Sequence, residues 1–120
     1  MMERIISGDT VSFCNDGNCV LSITESEQEG KIVMMLKGEL RSDLVHDFED
    51  ELIALTTVGA NICVDLQGLT YLSSTAQYSF LRVQQKMDRL HKGSLTLCNL
   101  TDDIYKEFES TGVSELLMIE

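Results

Sequence analysis

Across residues 61–81 the spacing of apolar side chains changes period, and that change dictates the fold class. Ile62-Cys63-Val64 is a continuous apolar run of the kind a buried strand gives. Turn chemistry at Gln67-Gly68 follows, and then three consecutive hydroxyl residues, Ser73, Ser74 and Thr75. Beyond them apolar residues recur at Ala76, Phe80, Val83, Met87 and Leu90, the one-sided stripe of a helix. The hydroxyl triplet thus stands where a helix begins, a place where a short side-chain oxygen caps unpaired backbone N–H groups. His91-Lys92-Gly93 ends that helix, with cations in its last turn and glycine behind them.

The remaining chain repeats the alternation. Residues 20–24 read as a first strand, and the polar run 25–30 as a solvated turn. Residues 31–37 are apolar on both alternating faces, which predicts a central strand paired antiparallel with the first. Ser42 is placed to cap a helix whose stripe is Leu44, Phe48, Leu52 and Leu55, with Asp43 in its first turn and Gly59 as its stop. Residues 95–98 form another buried strand. Thr101 then caps a third helix carrying Asp102 and Asp103 at its start, Ile104, Tyr105 and Phe108 on its apolar face, and Gly112 at its end. Residues 116–119 are too few to tell a last strand from the start of a helix. The predicted fold is α/β: a mixed, mostly parallel sheet of four or five strands, opened by an antiparallel hairpin, with helices packed on it. Residues 1–18 read as an N-terminal extension, with a hairpin on the sheet edge as one form, and 19–120 as the domain proper.

Charge excludes more than it identifies. Twenty acidic residues against nine basic ones give −11, which repels nucleic acid and anionic lipid. No local run of Lys and Arg along the chain offsets this. No apolar run reaches the roughly 18 residues of a spanning helix, and the first residues lack a signal peptide's basic and apolar segments, so the expected location is cytoplasmic. Cys63 and Cys98 fall in apolar runs and read as small core residues. Cys14 and Cys19 have C-x4-C spacing in a polar segment without nearby histidines, so free thiols are expected rather than a metal site.

In a sheet of this kind the loops leaving the C-terminal strand ends gather on one edge. Here those loops are residues 38–42, 67–74 and 99–101, which bring Glu39, Arg41, Asp65, hydroxyls and amides, but no histidine and no paired carboxylates. A Ser–His–Asp arrangement would need His46 or His91, which fall elsewhere on their helices, and no phosphate-binding glycine loop exists. No enzyme and no cofactor are expected. A phosphate on the hydroxyl triplet, by contrast, would meet a helix N-terminus and add charge to an acidic chain. The plainer reading of the triplet is a helix cap.

On Gly38-Glu39-Leu40, on V-D-L-Q-G-L-T-Y-L-S-S-T-A from Val64 to Ala76, on Leu97-Cys98-Asn99-Leu100-Thr101, and on S-T-G-V-S-E-L-L from Ser110, the chain resembles a STAS domain (sulfate transporter and anti-sigma-factor antagonist). It is similar above all to the stand-alone anti-sigma-factor antagonists, from about residue 20 onward. The resemblance implies a non-enzymatic switch that binds an anti-sigma-factor kinase and is released once that kinase phosphorylates a serine. Ser74 occupies the acceptor position, with Thr75 and Ser73 as alternates. Ser73 stands where the family has aspartate, Ala76 where it has glycine, and Arg41 where it commonly has an acid. The implied partner surface is Glu39, Arg41, Ser42, Ser73, Ser74, Thr75, Gln77, Asn99 and Thr101. Two other readings share the frame: a constitutive adaptor subunit of a lipid-transport ATPase or a stress-signalling complex, and a module binding a small ligand or nucleotide.

Overall fold

The computed structural model describes residues 2–57, 61–90 and 93–120. Six strands form one sheet in sequence order: β1 (Glu3–Ser7), β2 (Thr10–Asn15), β3 (Asn18–Gln28), β4 (Lys31–Leu40), β5 (Asn61–Leu72) and β6 (Leu95–Cys98). The sheet is mixed, as the sequence predicts, but it is not mostly parallel: three of its five pairings are antiparallel. Strands β1 to β4 pair antiparallel, and β4–β5 and β5–β6 pair parallel. It has six strands rather than four or five, because residues 3–15 add two antiparallel strands at one edge. The turns between these strands shrink to Gly8-Asp9, Asp16-Gly17 and Glu29-Gly30, with positive φ at Asp16, Gly17, Glu29 and Gly30, the mark of tight hairpin turns. Residues 25–28, expected in a turn, belong to β3.

Alternation along the strands sorts residues to two faces. Phe13, Leu21, Ile23, Met34, Leu36, Val64 and Leu97 are buried on the face that carries the helices. Ser12, Ser22, Thr24 and Met35 lie on the other, where Ser12 and Ser22, and Thr10 and Thr24, share hydroxyl hydrogen bonds at 3.2 and 2.9 Å. The helices are α1 (Val45–Thr56), α2 (Ser74–Leu90) and α3 (Asp102–Thr111). Phe80 on α2 joins them, its ring 5.1 Å from Phe48 on α1 and 6.0 Å from Phe108 on α3, both edge-on.

Three local expectations are corrected. Gln67-Gly68 does not turn the chain; β5 runs through it as a bulge, with Met35 opposite Asp65 but Lys37 opposite Gly68. Gly68 is required by close approach, since a Cβ there would lie 2.9 Å from the Leu36 carbonyl oxygen. Gly38, at φ 107°, is more constrained still: a Cβ would fall 2.2 Å from the Val20 carbonyl oxygen. Ser42 caps nothing. It lies inside a 3-10 turn (Ser42–Leu44) that leads into α1, its N-cap is Arg41, and no side chain accepts there. Residues 116–119 form neither strand nor helix beyond a single parallel bridge from Ile119 to Leu97. Gly59, His91 and Lys92, read as helix stops, lie outside the described residues.

The cysteines pair. Cys14 joins Cys19 and Cys63 joins Cys98, against the expectation of free thiols. Register explains both: Cys14 and Cys19 face each other across the β2–β3 hairpin, and Cys63 and Cys98 sit two residues off register, on the same face of adjacent parallel strands. Among the described residues no three metal-ligating side chains converge.

Candidate functional site

The site is built where β4 and β5 end side by side. Leu40 and Leu72 are paired, and the Ser73 N–H donates to the Leu40 carbonyl oxygen at 3.0 Å. Ser73 is the cap of α2: it is buried, and its Oγ accepts from the Ala76 N–H at 3.2 Å. Ser74 and Thr75 follow as the first two helical residues, both exposed. The triplet therefore divides by role. Ser73 is spent on capping, which leaves the Ser74 hydroxyl in solvent beside first-turn N–H groups. Ala76 is fully buried, so a side chain larger than its methyl has no room there.

Beside the α2 start lie Arg41, directly after Leu40, and Ser42, in the 3-10 turn that packs against α2; Glu39, opposite Tyr71, alternates away from buried Leu40. Glu39 and Ser42 are exposed, and the Arg41 guanidinium holds Asp43 at 2.9 Å. The hydrogen bond from Arg41 keeps the Asp43 carboxyl below its ordinary range, although partial burial pushes the other way. The same bond, with the Asp43 charge, holds Arg41 more firmly protonated.

Other expected members stand apart. Strand β6 ends opposite Asp65, whereas β5 continues to Leu72, roughly 20 Å farther along the strand. Asn99 and Thr101 therefore lie at a different level from Ser74. Asn99, at φ 56°, donates to Asp65 at 2.8 Å, and the exposed Thr101 accepts from the Ile104 N–H as the cap of α3. Gln77 does not belong to a partner surface: it is fully buried, and its Oε1 accepts from the Thr111 hydroxyl at 2.6 Å. The helix face that spacing alone leaves to solvent at Gln77 is covered by α3.

Sequence reasoning missed two aromatics. Tyr71 pairs with Glu39 at the strand ends, and Tyr78 lies one helical turn beyond Ser74; both are about half exposed, at 51% and 45%. Tyr, with an apolar ring and a polar hydroxyl, is enriched at binding surfaces. The available signal was Tyr78, an aromatic standing off the Ala76–Phe80–Val83 stripe. Folding also gathers charge that no run in the sequence shows. Arg82, Lys86 and Arg89 line a groove of about 330 Å³ with Glu49 and Ile53, and Glu49 accepts from Ser79 and Arg82. That groove lies along the later turns of α2, away from Ser74.

Comparisons with known proteins agree with this architecture. The family described as "Mlab, STAS domain" matches residues 23–119. An anti-sigma-B factor antagonist of Bacillus subtilis is 25% identical over 99 residues, 82% of this chain and 90% of that protein. Among solved structures, the anti-sigma factor antagonist SpoIIAA in its unphosphorylated form superposes with a TM-score of 0.65 at 17% identity, covering 82% of this chain and 87% of that one. The phosphorylated form of SpoIIAA, a cell fate determinant of Bacillus, gives 0.60 at 19% identity, covering 82% and 90%. At these identities the structural likenesses establish the fold.

Proposed function

Because this chain belongs to the STAS domain family, we propose that it is an anti-sigma-factor antagonist: a binding protein without catalysis of its own, whose grip on an anti-sigma-factor kinase is released by phosphorylation at Ser74. One observation carries the choice of residue. Of the adjacent serines, Ser73 is 4% exposed and committed to the Ala76 N–H, while Ser74 is in solvent. A kinase must reach the hydroxyl in line with the γ-phosphorus of ATP, and only an exposed oxygen permits that approach. Thr75 is the alternate acceptor; Ser73 is the weakest of the three. The partner surface on this reading is Glu39, Arg41, Ser42, Ser74 and Thr75, joined by Tyr71 and Tyr78.

The phosphate would act locally. With Ala76 N–H bound to Ser73 Oγ and Gln77 N–H to the Ser73 carbonyl, the Ser74 and Thr75 N–H groups remain to meet it. Their dipole stabilises an anion there by about 0.3–1 kcal/mol, so modification does not unfold the helix start. It does place about −1.5 to −2 charges one helical turn before Tyr78, and a partner that packs on that ring must then desolvate a dianion.

Incubation with the cognate kinase and ATP, followed by mass spectrometry, tests the reading. A single phosphate on Ser74 is expected, absent in Ser74→Ala. Ser74→Asp is expected to weaken partner binding at least tenfold in calorimetry. Phosphate nowhere on residues 73–75, together with Ser74→Asp binding as tightly as the unaltered chain, would instead mark a constitutive adaptor.

A further inference from the structure

The two edges of the sheet are finished differently. At β6 the outer edge is occupied: the Leu97 N–H donates to the Met118 carbonyl at 2.8 Å, and the Glu120 N–H donates to the Leu97 carbonyl at 2.9 Å. At β1 no strand lies outside among the described residues, and all five residues are exposed. An open edge is normally guarded by shortness, charged side chains, proline or a bulge. Strand β1 is short and carries Glu3 and Arg4, but the Arg4 guanidinium is turned to Glu51. No proline or bulge interrupts the edge, and Ile5 and Ile6 stand on it, the latter 61% exposed, more than any other large apolar side chain among the described residues.

We propose that β1 pairs with β1 of a second copy of this chain, antiparallel about a two-fold axis at Ile5, so that the sheet continues across the dimer. This is independent of the reading of Ser74. Backbone parity selects the strand centre. The Gly8-Asp9 turn makes Ser7 and Thr10 the closing hydrogen-bonded pair, so Ser7, Ile5 and Glu3 direct their backbone groups toward β2. Arg4 and Ile6 therefore direct theirs outward. With the axis at Ile5, Arg4 of one copy bonds Ile6 of the other in both directions, and every outward group of these two residues is satisfied.

Side chains agree with that register. Ile5 meets Ile5 of its partner on the helix-free face. Ile6 lies on the aliphatic stem of the other copy's Arg4, whose guanidinium is already held by Glu51 at 2.6 Å. Moving the axis to Arg4 would set two guanidinium groups directly opposite each other, and moving it to Ile6 would set Ile5 against Ser7. Only the Ile5 axis opposes no like charges and keeps both isoleucines covered. An isologous contact of this kind needs no second sequence, which favours a copy of the chain over an unrelated strand.

A pair of five-residue strands buries less than the roughly 1,000 Å² of a stable interface, so the dimer is weak and concentration-dependent. Each copy carries −11, and added salt strengthens the association by screening that repulsion. Sedimentation velocity from micromolar to about 1 mM reads the equilibrium directly. The expected result is a monomer–dimer transition that tightens as salt is raised. Ile6→Pro removes an outward N–H without touching the β1–β2 ladder, and is expected to weaken dimerisation at least tenfold with Tm nearly unchanged. Ile5→Lys opposes two ammonium groups across the axis and is expected to do the same. Amide exchange at Arg4 and Ile6 should slow as concentration rises, while that at Ile5 stays constant. A chain that remains monomeric at about 1 mM, or a dimer that survives both substitutions, overturns the proposal. So does concentration-dependent protection that falls on Ile5 instead of Arg4 and Ile6.

Discussion

Helices α1 and α2 begin at the same end of the sheet, each just beyond a parallel strand, yet they are held by different physics. The start of α2 is fixed from inside: buried Ser73 bonds backward to Leu40 through its N–H and forward to Ala76 through its hydroxyl. The start of α1 has no side-chain cap: it enters through a 3-10 turn closed by the Leu44 N–H on the Arg41 carbonyl, is anchored by buried Leu44 and Val45, and has an exposed Arg41–Asp43 pair as its side-chain polar contact. An internal cap defines geometry because its partners are buried and leaving them unpaired is costly. A solvated ion pair defines little, because water and salt replace either partner at small cost. The rigid start presents Ser74; the soft one presents Arg41 and Ser42. A surface of this kind pairs one hydroxyl held in fixed geometry with charged neighbours able to readjust around it.

The most severe way to break this contrast is to remove what both helices share. Phe80 sits between Phe48 and Phe108 and is fully buried. Phe80→Ala leaves a cavity at that junction and is expected to cost about 3–5 kcal/mol, a large part of the stability of a small domain. Denaturant unfolding monitors the loss. Amide protection at Leu44 and Ala76 should fall together, and a selective loss at one start would mean that the helices are not coupled through this ring.

A sharper test exchanges only the hydroxyls. Ser73→Ala deletes a working cap and is expected to cost about 1 kcal/mol, lowering Tm by about 4 °C. Ser42→Ala, three residues before its own helix, deletes a hydroxyl that caps nothing and is expected to fall within about 0.5 kcal/mol of the unaltered chain. Equal effects from the two would dissolve the distinction between the starts.

These two serines also show what the sequence could reveal. The stripe Ala76–Phe80–Val83–Met87 and the run Ile62–Val64 depend on local period alone, and they placed α2 and β5 correctly. Ser42 and Ser73 look alike in sequence because capping depends on backbone geometry one turn ahead. Gln67-Gly68 misled for a related reason: a bulge uses the same residues as a turn, and only the partner strand decides between them. The pairing of Cys63 with Cys98, and the covering of Gln77 by Thr111 and of Gln84 by Leu116 and Met118, are set by register and docking over thirty or more residues. No local pattern records such contacts. The separation of Asn99 from Ser74 belongs with these, since it follows from β5 outrunning β6.

The smallest expected effect concerns the sign of the pH dependence. Asp43 is held below the ordinary carboxylate range by its hydrogen bond from Arg41, so its contribution is present above the unfolded carboxyl pKa and is lost as pH falls through the lower folded value. Glu25, on β3, is opposite: burial, then the nearby charges of Glu51 and Asp9, raise its carboxyl above the ordinary range. Its ionised form therefore opposes folding at neutral pH, and that cost disappears as pH falls through the raised value toward the unfolded one. Glu25→Gln is accordingly expected to stabilise the domain slightly at neutral pH and to give no advantage below about pH 4. Asp43→Asn should be mildly destabilising at neutral pH, with an effect that fades only at still lower pH and shrinks in high salt. Paired denaturation curves across this range measure both. If Asp43→Asn leaves stability unchanged at neutral pH, the exposed pair contributes nothing to the start of α1.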